Sequence, residues 1–322
     1  MIEILLKFIE IIVFPGFIFI GLLSLFYEWI DRKFYAKLQN RVGPLYAGPH
    51  GILQPLADFI KLLSKEDIVP EAADKILFTM MPIIFFSLSL LITLNLPITS
   101  IHGIISFKGD LIFLVAMLTI ISIVVYVSGE VSTSRFATIG AERAILQLLG
   151  YEIPFMLSLI SIAISSNSIT LSEIVSAQKN IWYIFTPNII AFIIFLITGQ
   201  AELERIPFDI PEAEQEIVAG WIVEYSGKKL ALFRFGRDIE TLFIAGLGAT
   251  LFLGGPLGPV IPGLETLLYT IYFIIKSIFI LLILTTIRAI FARLRIDQVL
   301  SISWKYFIPL ALIQLLIVRV IY

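Results

Sequence analysis

The 322-residue sequence contains no cysteine and only two histidines, His50 and His102. Without cysteine there is no disulfide, no thiolate nucleophile, no cysteine-ligated iron–sulfur cluster and no cysteine-based zinc site. Two histidines far apart in sequence, each without a nearby partner, leave no multi-histidine metal or haem site. Charge is also scarce: 15% of the residues are Asp, Glu, Lys or Arg, against about 25% in a soluble domain. A formal net charge of −2 excludes a general nucleic-acid binder. The chain has no G-x-S-x-G and no H-E-x-x-H. The run Gly254-Gly-Pro-Leu-Gly-Pro-Val-Ile-Pro-Gly263 lacks the Lys-Ser/Thr ending of a phosphate loop and reads as a membrane-edge turn. There is no internal repeat and no matching pair of interrupted helices, which speaks against an independent secondary transporter.

Apolar residues fill the space left by charge. They make up 58% of the chain, and the mean hydropathy is +0.98. Crossing about 30 Å of hydrocarbon takes about 20 apolar residues in a helix, and eight stretches qualify or nearly so. They are Ile9–Ile30, Ile76–Pro97, Leu111–Gly129, Ala144–Asn167, Ile181–Ala201, Thr241–Gly254 (extendable to Leu264), Leu267–Ile287 and Val299–Val318. Lys276 and Lys305 interrupt the last two. The runs are continuous rather than alternating, so helices and not barrel strands are expected. The expected fold is an all-α integral membrane protein, one polytopic domain over residues 1–322 with about eight transmembrane helices. Glu3, Lys7 and Glu10 near the start, with no basic n-region and no small-residue cleavage pattern, make the first stretch an anchor rather than a cleaved signal.

Two long polar segments, residues 31–75 and 202–240, separate the apolar ones. In the first, Leu53, Leu56, Ala57, Ile60 and Leu63 recur at helical spacing with Asp58, Lys61 and Lys65 on other faces, predicting an amphipathic helix at the membrane interface or against a partner. With eight crossings, 18 of the 23 Lys and Arg fall on the side of these two loops. By the positive-inside rule that side is cytoplasmic, which places the chain in the plasma membrane as a multi-pass protein. About 20 of the 25 Asp and Glu lie there as well, although the rule does not require it. One face is densely zwitterionic, as a docking surface or a polar path into the membrane would be.

Three clusters carry chemistry. The first runs from Gly199 to Gly227 and contains Glu202, Glu204, Asp209, Glu212, Glu214, Glu216 and Glu224 beside a membrane helix. Asp209 is placed to N-cap a helix that begins at Pro211, putting Glu212 and Glu216 on one face. Such a row is either a solvated acidic face or, if desolvated, a proton relay with mutually raised pKa values. The second cluster is Glu130, Glu142, Arg143, Gln147, Tyr151 and Glu152. Glu142 and Arg143 are expected to begin a helix. Glu152, two turns deeper, is either a functional ionisable group or a partner of Arg143 or of a neighbouring helix. The third comprises Glu28-Trp-Ile-Asp-Arg-Lys33, Arg41 and the turn residues 43–51. It could face a partner or be an ordinary basic loop. Lys276 is either snorkelled or paired with a carboxylate.

Taken together the segments resemble subunit 1 of respiratory complex I, the H subunit of bacterial NADH–quinone oxidoreductase, and its relatives in energy-converting membrane-bound NiFe hydrogenases. The resemblance rests on Gln39-x-Arg41-x-Gly43-Pro44, Gly51-x-x-Gln54-Pro-x-Ala57-Asp58, Lys61-x-x-x-Lys65-Glu66, Gly140-x-x-Arg143 with Tyr151-Glu152, and Arg205-x-Pro-Phe-Asp209 through Glu224-Tyr-Ser-Gly227. It implies a non-catalytic membrane subunit that anchors a hydrophilic redox arm and couples electron transfer to proton or sodium translocation. Glu130, Glu142, Glu152, Glu202, Asp209, Glu212, Glu214, Glu216 and Glu224 would be coupling residues. Glu28, Arg41, Asp58, Lys61, Arg143 and Arg205 would face the arm. It implies no cofactor in this chain, a NiFe centre and iron–sulfur clusters in hydrogenase-like large and small subunits, antiporter-like membrane partners, and contact with lipid but not with nucleic acid. Quinone-reducing members end the Ala-Leu-Phe stretch after Glu-Tyr-Ser in an acidic–aromatic pair. Here Arg234-Phe-Gly-Arg-Asp238 stands instead, and with the Glu214-Gln-Glu216 spelling it points to the hydrogenase or sulfane-reductase branch. A quinone-binding complex I subunit is the alternative.

Overall fold

A computed structural model describes residues 10–321; Glu3, Lys7 and Ile9 of the first expected anchor lie outside them. Twelve α-helices follow in chain order among these residues: α1 (Phe17–Leu38), α2 (Gln54–Ser64), α3 (Lys75–Thr93), α4 (Asp110–Val131), α5 (Arg135–Ser166), α6 (Leu171–Ala177), α7 (Ile189–Glu202), α8 (Glu214–Ile217), α9 (Gly227–Leu253), α10 (Glu265–Ile290), α11 (Ile296–Ile302) and α12 (Ile308–Ile321). No strand occurs among the described residues. Six helical stretches are long and apolar enough to cross a membrane: Glu10–Leu38, α3, α4, α5, α10 and the continuous stretch Ile296–Ile321. α7 is a shorter apolar helix; the remaining expected segment corresponds to the carboxyl half of α9, which is not one of these six.

The helix ends differ from the sequence expectation where polar residues join a helix or proline interrupts one. Asp74 caps α3 by accepting from the amides of Ile76 and Leu77. The segment expected at Ile181–Ala201 is helical only from Ile189. Pro187 lacks an amide hydrogen and disfavours helix at the residue before it, and a short turn, Tyr183–Phe185, precedes it. α5 begins at Arg135, so Glu142 and Arg143 lie two turns inside it rather than at its start. α9 begins at Gly227, well before Thr241. Lys305 is accommodated by a π-turn, Ser303–Phe307, that leaves Trp304, Lys305 and Tyr306 exposed.

α9 is the axis of the molecule. Every residue from Ile239 to Leu253 is buried, as expected of a helix that is apolar all round, and it packs on α1, α2, α3, α7 and α10. Its small residues let neighbours approach: a Cβ on Gly246 would come within 2.8 Å of Leu96 and Phe273. α4 and α5 form a second packed pair, and α5 also contacts α7 and α12. Among the described residues Lys276 finds no carboxylate. Its Nζ donates to the carbonyl of Leu257 at 2.7 Å and lies 4.7 Å from the centre of the Trp182 ring, tying the Gly254–Gly263 turn to α10.

α2 is the expected amphipathic helix. It lies on α1 and α9, with Phe59 4.8 Å from Phe235, while Leu53, Ile60 and Leu63 point outward. It forms one wall of the cavity described next.

Candidate functional site

A cavity of about 610 Å³ opens where α1, α2, α9, the end of α10 and residues 203–222 meet. The loop 203–213 takes its shape from Pro207 and Pro211, which stop α7 from continuing, and from two glycines. Gly220, at φ +58°, lets the carbonyl of Pro211 approach to where a Cβ would be 1.7 Å away. Gly140 on α5 leaves room for the same carbonyl and for the Trp221 amide. The expected helix from Pro211 does not form. Asp209 is taken by Arg293 in a two-pronged ion pair, Nε to Oδ1 at 2.7 Å and Nη2 to Oδ2, so its carboxylate is not free to cap. The helix that forms, α8, is a single turn whose N-cap is Ala213. Glu212 is half-buried in the cavity and Glu216 is exposed outside it, so the two do not share a helix face.

Most of the charges around the cavity are paired. Asp31 has no exposed surface and receives Thr285 Oγ1 at 2.6 Å and Arg288 Nη1 at 2.8 Å, with Arg205 Nη1 at 3.4 Å. Glu28 accepts from Arg32 at 2.5 Å and lies 3.7 Å from Arg205. Arg32 also donates to Asp58 at 2.5 Å, linking α1 to α2. Arg237 bridges Glu204 at 2.6 Å and Glu240 at 3.0 Å and lies over the rings of Phe85 and Trp221. The Trp221 indole donates to Glu204 at 3.1 Å.

From Glu240 the carboxylates continue into the membrane bundle. Ser89 donates to Glu240 at 3.2 Å. Glu202 sits within electrostatic reach of Glu240 and Glu152 and accepts from the Tyr151 hydroxyl. Thr119 donates to Glu152 at 2.5 Å, so Glu152 pairs with neither Arg143 nor any other cation among the described residues. At the cavity end, burial and the neighbouring Glu204 push the Glu212 carboxyl up to about 7, against the pull of Arg237 and Arg234.

The structure therefore brings Glu28, Asp58, Arg205, Asp209, Glu212 and Glu214 to one cavity, and Glu152 and Glu202 to a row that meets it. The remaining candidates lie elsewhere. Arg143 and Glu216 form a 2.5 Å pair at the surface. Glu142 and Lys61 are exposed, and Glu130 and Glu224 are half-buried away from the cavity. Arg41 lines an adjoining cavity of about 650 Å³ with Tyr35, Glu28, Arg32 and Arg288. Sequence reasoning did not single out Asp31, Arg237, Asp238, Glu240, Arg288 or Arg293 as site residues. Asp238 and Glu240 directly precede a long run of apolar or small residues, and the rule that intramembrane ionisable groups are functional would have flagged them. Nothing local distinguishes Arg288 and Arg293.

Comparison with known proteins gives a consistent picture. The family profile described as NADH dehydrogenase matches residues 9–319. A protein from Dehalococcoides mccartyi, named as the H subunit of NADH-quinone oxidoreductase, is 36% identical over 96% of this chain and 85% of its own length. One of the same name from a Geobacillus species is 39% identical over 90% and 87%. A second H subunit of the same oxidoreductase, from Geobacter sulfurreducens, is 40% identical over 92% and 90%.

Proposed function

The chain belongs to the NADH dehydrogenase family, and from that premise we propose that it is the membrane subunit of an NADH–quinone-oxidoreductase-type complex whose charged cavity receives the quinone headgroup. In this reading α2, the Arg41 region and the loop 203–222 seat a hydrophilic redox arm. Reduction at the cavity changes the charge of the Glu212–Glu204 end of the row, and the change passes by way of Arg237, Glu240 and Glu202 to Glu152 and on to ion-translocating membrane partners. The electron carriers are iron–sulfur centres of partner subunits, and the long charged loops face the cytoplasm from the plasma membrane. The observation that carries the reading is the continuity of a roughly 610 Å³ charged cavity with an intramembrane carboxylate row.

One observation favours a second reading. Arg234 and Asp238 stand where quinone-reducing relatives carry an acidic–aromatic ending, which suits the hydrogenase-type branch with a NiFe-bearing arm and antiporter-like partners. The test is to purify the intact complex and measure quinone reduction and ion pumping in proteoliposomes, for wild type and for Glu152→Gln and Glu240→Gln. The proposal expects quinone reduction in all three and reduced pumping per turnover in both variants. Unchanged pumping in both variants removes the coupling role. A complex that evolves hydrogen and reduces no quinone establishes the second reading.

A further inference from the structure

The stretch Ile296–Ile321, which joins α11, the π-turn and α12, is the least covered of the six spans. Only 17% of its most apolar 18 residues are buried, against 33–50% in the other five. It packs on α5 and α7 through one narrow face of buried residues, Val299, Ser303, Ala311, Gln314 and Val318. Eight residues of α-helix rotate about 80° beyond two full turns, which would carry Ala311 off the face that Ser303 occupies. The π-turn, closed by the Ile308 amide donating to the Ser303 carbonyl, holds one residue more and takes that rotation back. Pro309 has no amide to return to the turn, which favours the wider closure. The extra residue bulges outward, and Trp304, Lys305 and Tyr306 are exposed in succession. Among the described residues none of the three has a carboxylate, hydrogen-bond or ring partner.

The bulge lies deep in the membrane layer. Along the axis Lys305 is about 15 Å from Arg295 and about 21 Å from Arg319, at 1.5 Å per residue. The 13 residues between Lys305 and Arg319 carry no charge. They cover only about 20 Å of the roughly 30 Å of hydrocarbon, so Lys305 at headgroup level would draw Arg319 into the lipid tails. Neighbouring contacts give the same depth. Ser303 lies against Gly150 of α5, and Gln314 lies 3.4 Å from Ser161. The two helices therefore run parallel and in step, and Lys305 stands level with Glu152. An ammonium on the outer surface at that depth is costly against lipid, and Trp and Tyr belong at the headgroups. Below the bulge, Tyr306, Leu310, Ile313 and Ile317 are exposed at spacings of four, three and four, the seam of a helix pair.

We propose that this outer face, centred on Lys305, seats a transmembrane helix of a partner membrane subunit, and that this helix brings an aspartate or glutamate to the Lys305 ammonium. A carboxylate is the group that a cation in hydrocarbon requires. The Trp304 indole and the Tyr306 hydroxyl flank it with two further donors for its oxygens. The apolar seam beneath gives the partner helix its packing surface.

The inference rests on the reading of this chain as one subunit of a membrane complex, and the experiment separates the two. Benzoylphenylalanine is placed at Tyr306, with Lys305 intact, and irradiated in the assembled complex in native membranes. The expected product is a cross-link to a membrane helix of another subunit, within about one helical turn of an Asp or Glu. Lys305→Met and Lys305→Glu should each lower retention of that subunit during detergent purification by about 10-fold or more, while Lys305→Arg retains it. Replacing the mapped carboxylate by lysine should restore retention in the Lys305→Glu background, which a merely structural lysine would not allow. If a Lys305 variant fails to insert, the Tyr306 probe still decides. Label on phospholipid alone, a cross-linked helix without a carboxylate at that depth, or wild-type retention in Lys305→Glu overturns the proposal. Any of these in a complex that keeps its membrane partners and reduces quinone leaves the function standing. A chain that purifies with no other membrane subunit overturns both.

Discussion

Asp31 offers the sharpest test of how the cavity is held together. Its carboxylate is fully enclosed and accepts from Thr285 and Arg288 at 2.6 and 2.8 Å, with Arg205 at 3.4 Å. It joins α1, α10 and the loop after α7 at one point. Asp31→Leu fills the volume with an apolar side chain and leaves two guanidinium groups facing it. Removing one partner of a buried ion pair costs about 3–5 kcal/mol, because the other charge stays desolvated. Arg288 is partly open to the adjoining cavity and stacks on Tyr35 at 4.6 Å, so water can relieve part of the penalty and about 3 kcal/mol is expected. Asp31→Asn keeps the shape and one acceptor and should cost about 1.5–3 kcal/mol, the worth of a hydrogen bond to a charged group. Adding Arg288→Met to Asp31→Leu removes the stranded cation nearest the site and should recover more than half the loss, since Arg205 still has Glu28. The assay is denaturant unfolding of the purified complex followed by tryptophan fluorescence. The reasoning fails if Asp31→Leu lies within about 1 kcal/mol of wild type, or if the double variant is no more stable than Asp31→Leu.

Two further outcomes follow from the geometry. Gly220→Ala puts a methyl group 1.7 Å from the Pro211 carbonyl at a positive φ; the loop 203–222 should lose its seat on α5, at a cost of at least about 3 kcal/mol, seen as proteolytic cleavage within it. Lys276→Met removes a buried cation that has no counter-ion among the described residues. The lost carbonyl bond and the contact with Trp182 are offset by relief of desolvation, so stability should stay within about 1 kcal/mol of wild type; a larger loss would show that a partner subunit supplies a counter-ion.

The apolar runs made the fold legible, because a bilayer demands long uninterrupted stretches and their positions survive into the structure. Helix ends were less legible. α9 carries charge from Lys228 to Glu240, so its start is invisible to a search for apolar runs, and Pro187 cut a run that hydropathy alone joins. Part of the site was legible because carboxylates beside a membrane helix are costly wherever they stand: Glu152, Glu202, Asp209 and Glu212 were found on that ground. The partners were not. Arg293 is 84 residues from Asp209 and Arg288 is 257 from Asp31, and no local pattern couples residues so far apart. The predicted N-cap at Asp209 went wrong for the same reason, since a bidentate arginine from a distant element outcompeted the local amides. The acidic–aromatic departure at Arg234–Asp238 pointed to a hydrogenase-type branch, while the relatives from Dehalococcoides, Geobacillus and Geobacter are all named as subunits of NADH-quinone oxidoreductase.

The central claim is that the charged cavity is where a quinone meets this chain. The direct measurement is photolabelling of the intact complex with a short-chain azidoquinone, followed by peptide mapping, with and without excess unlabelled quinone. The account predicts competed label in residues 203–215 and 227–241, the two walls bearing Glu212 and Arg234. Quinone reduction accompanied by label confined to other subunits, or to segments of this chain that do not line the cavity, would contradict it.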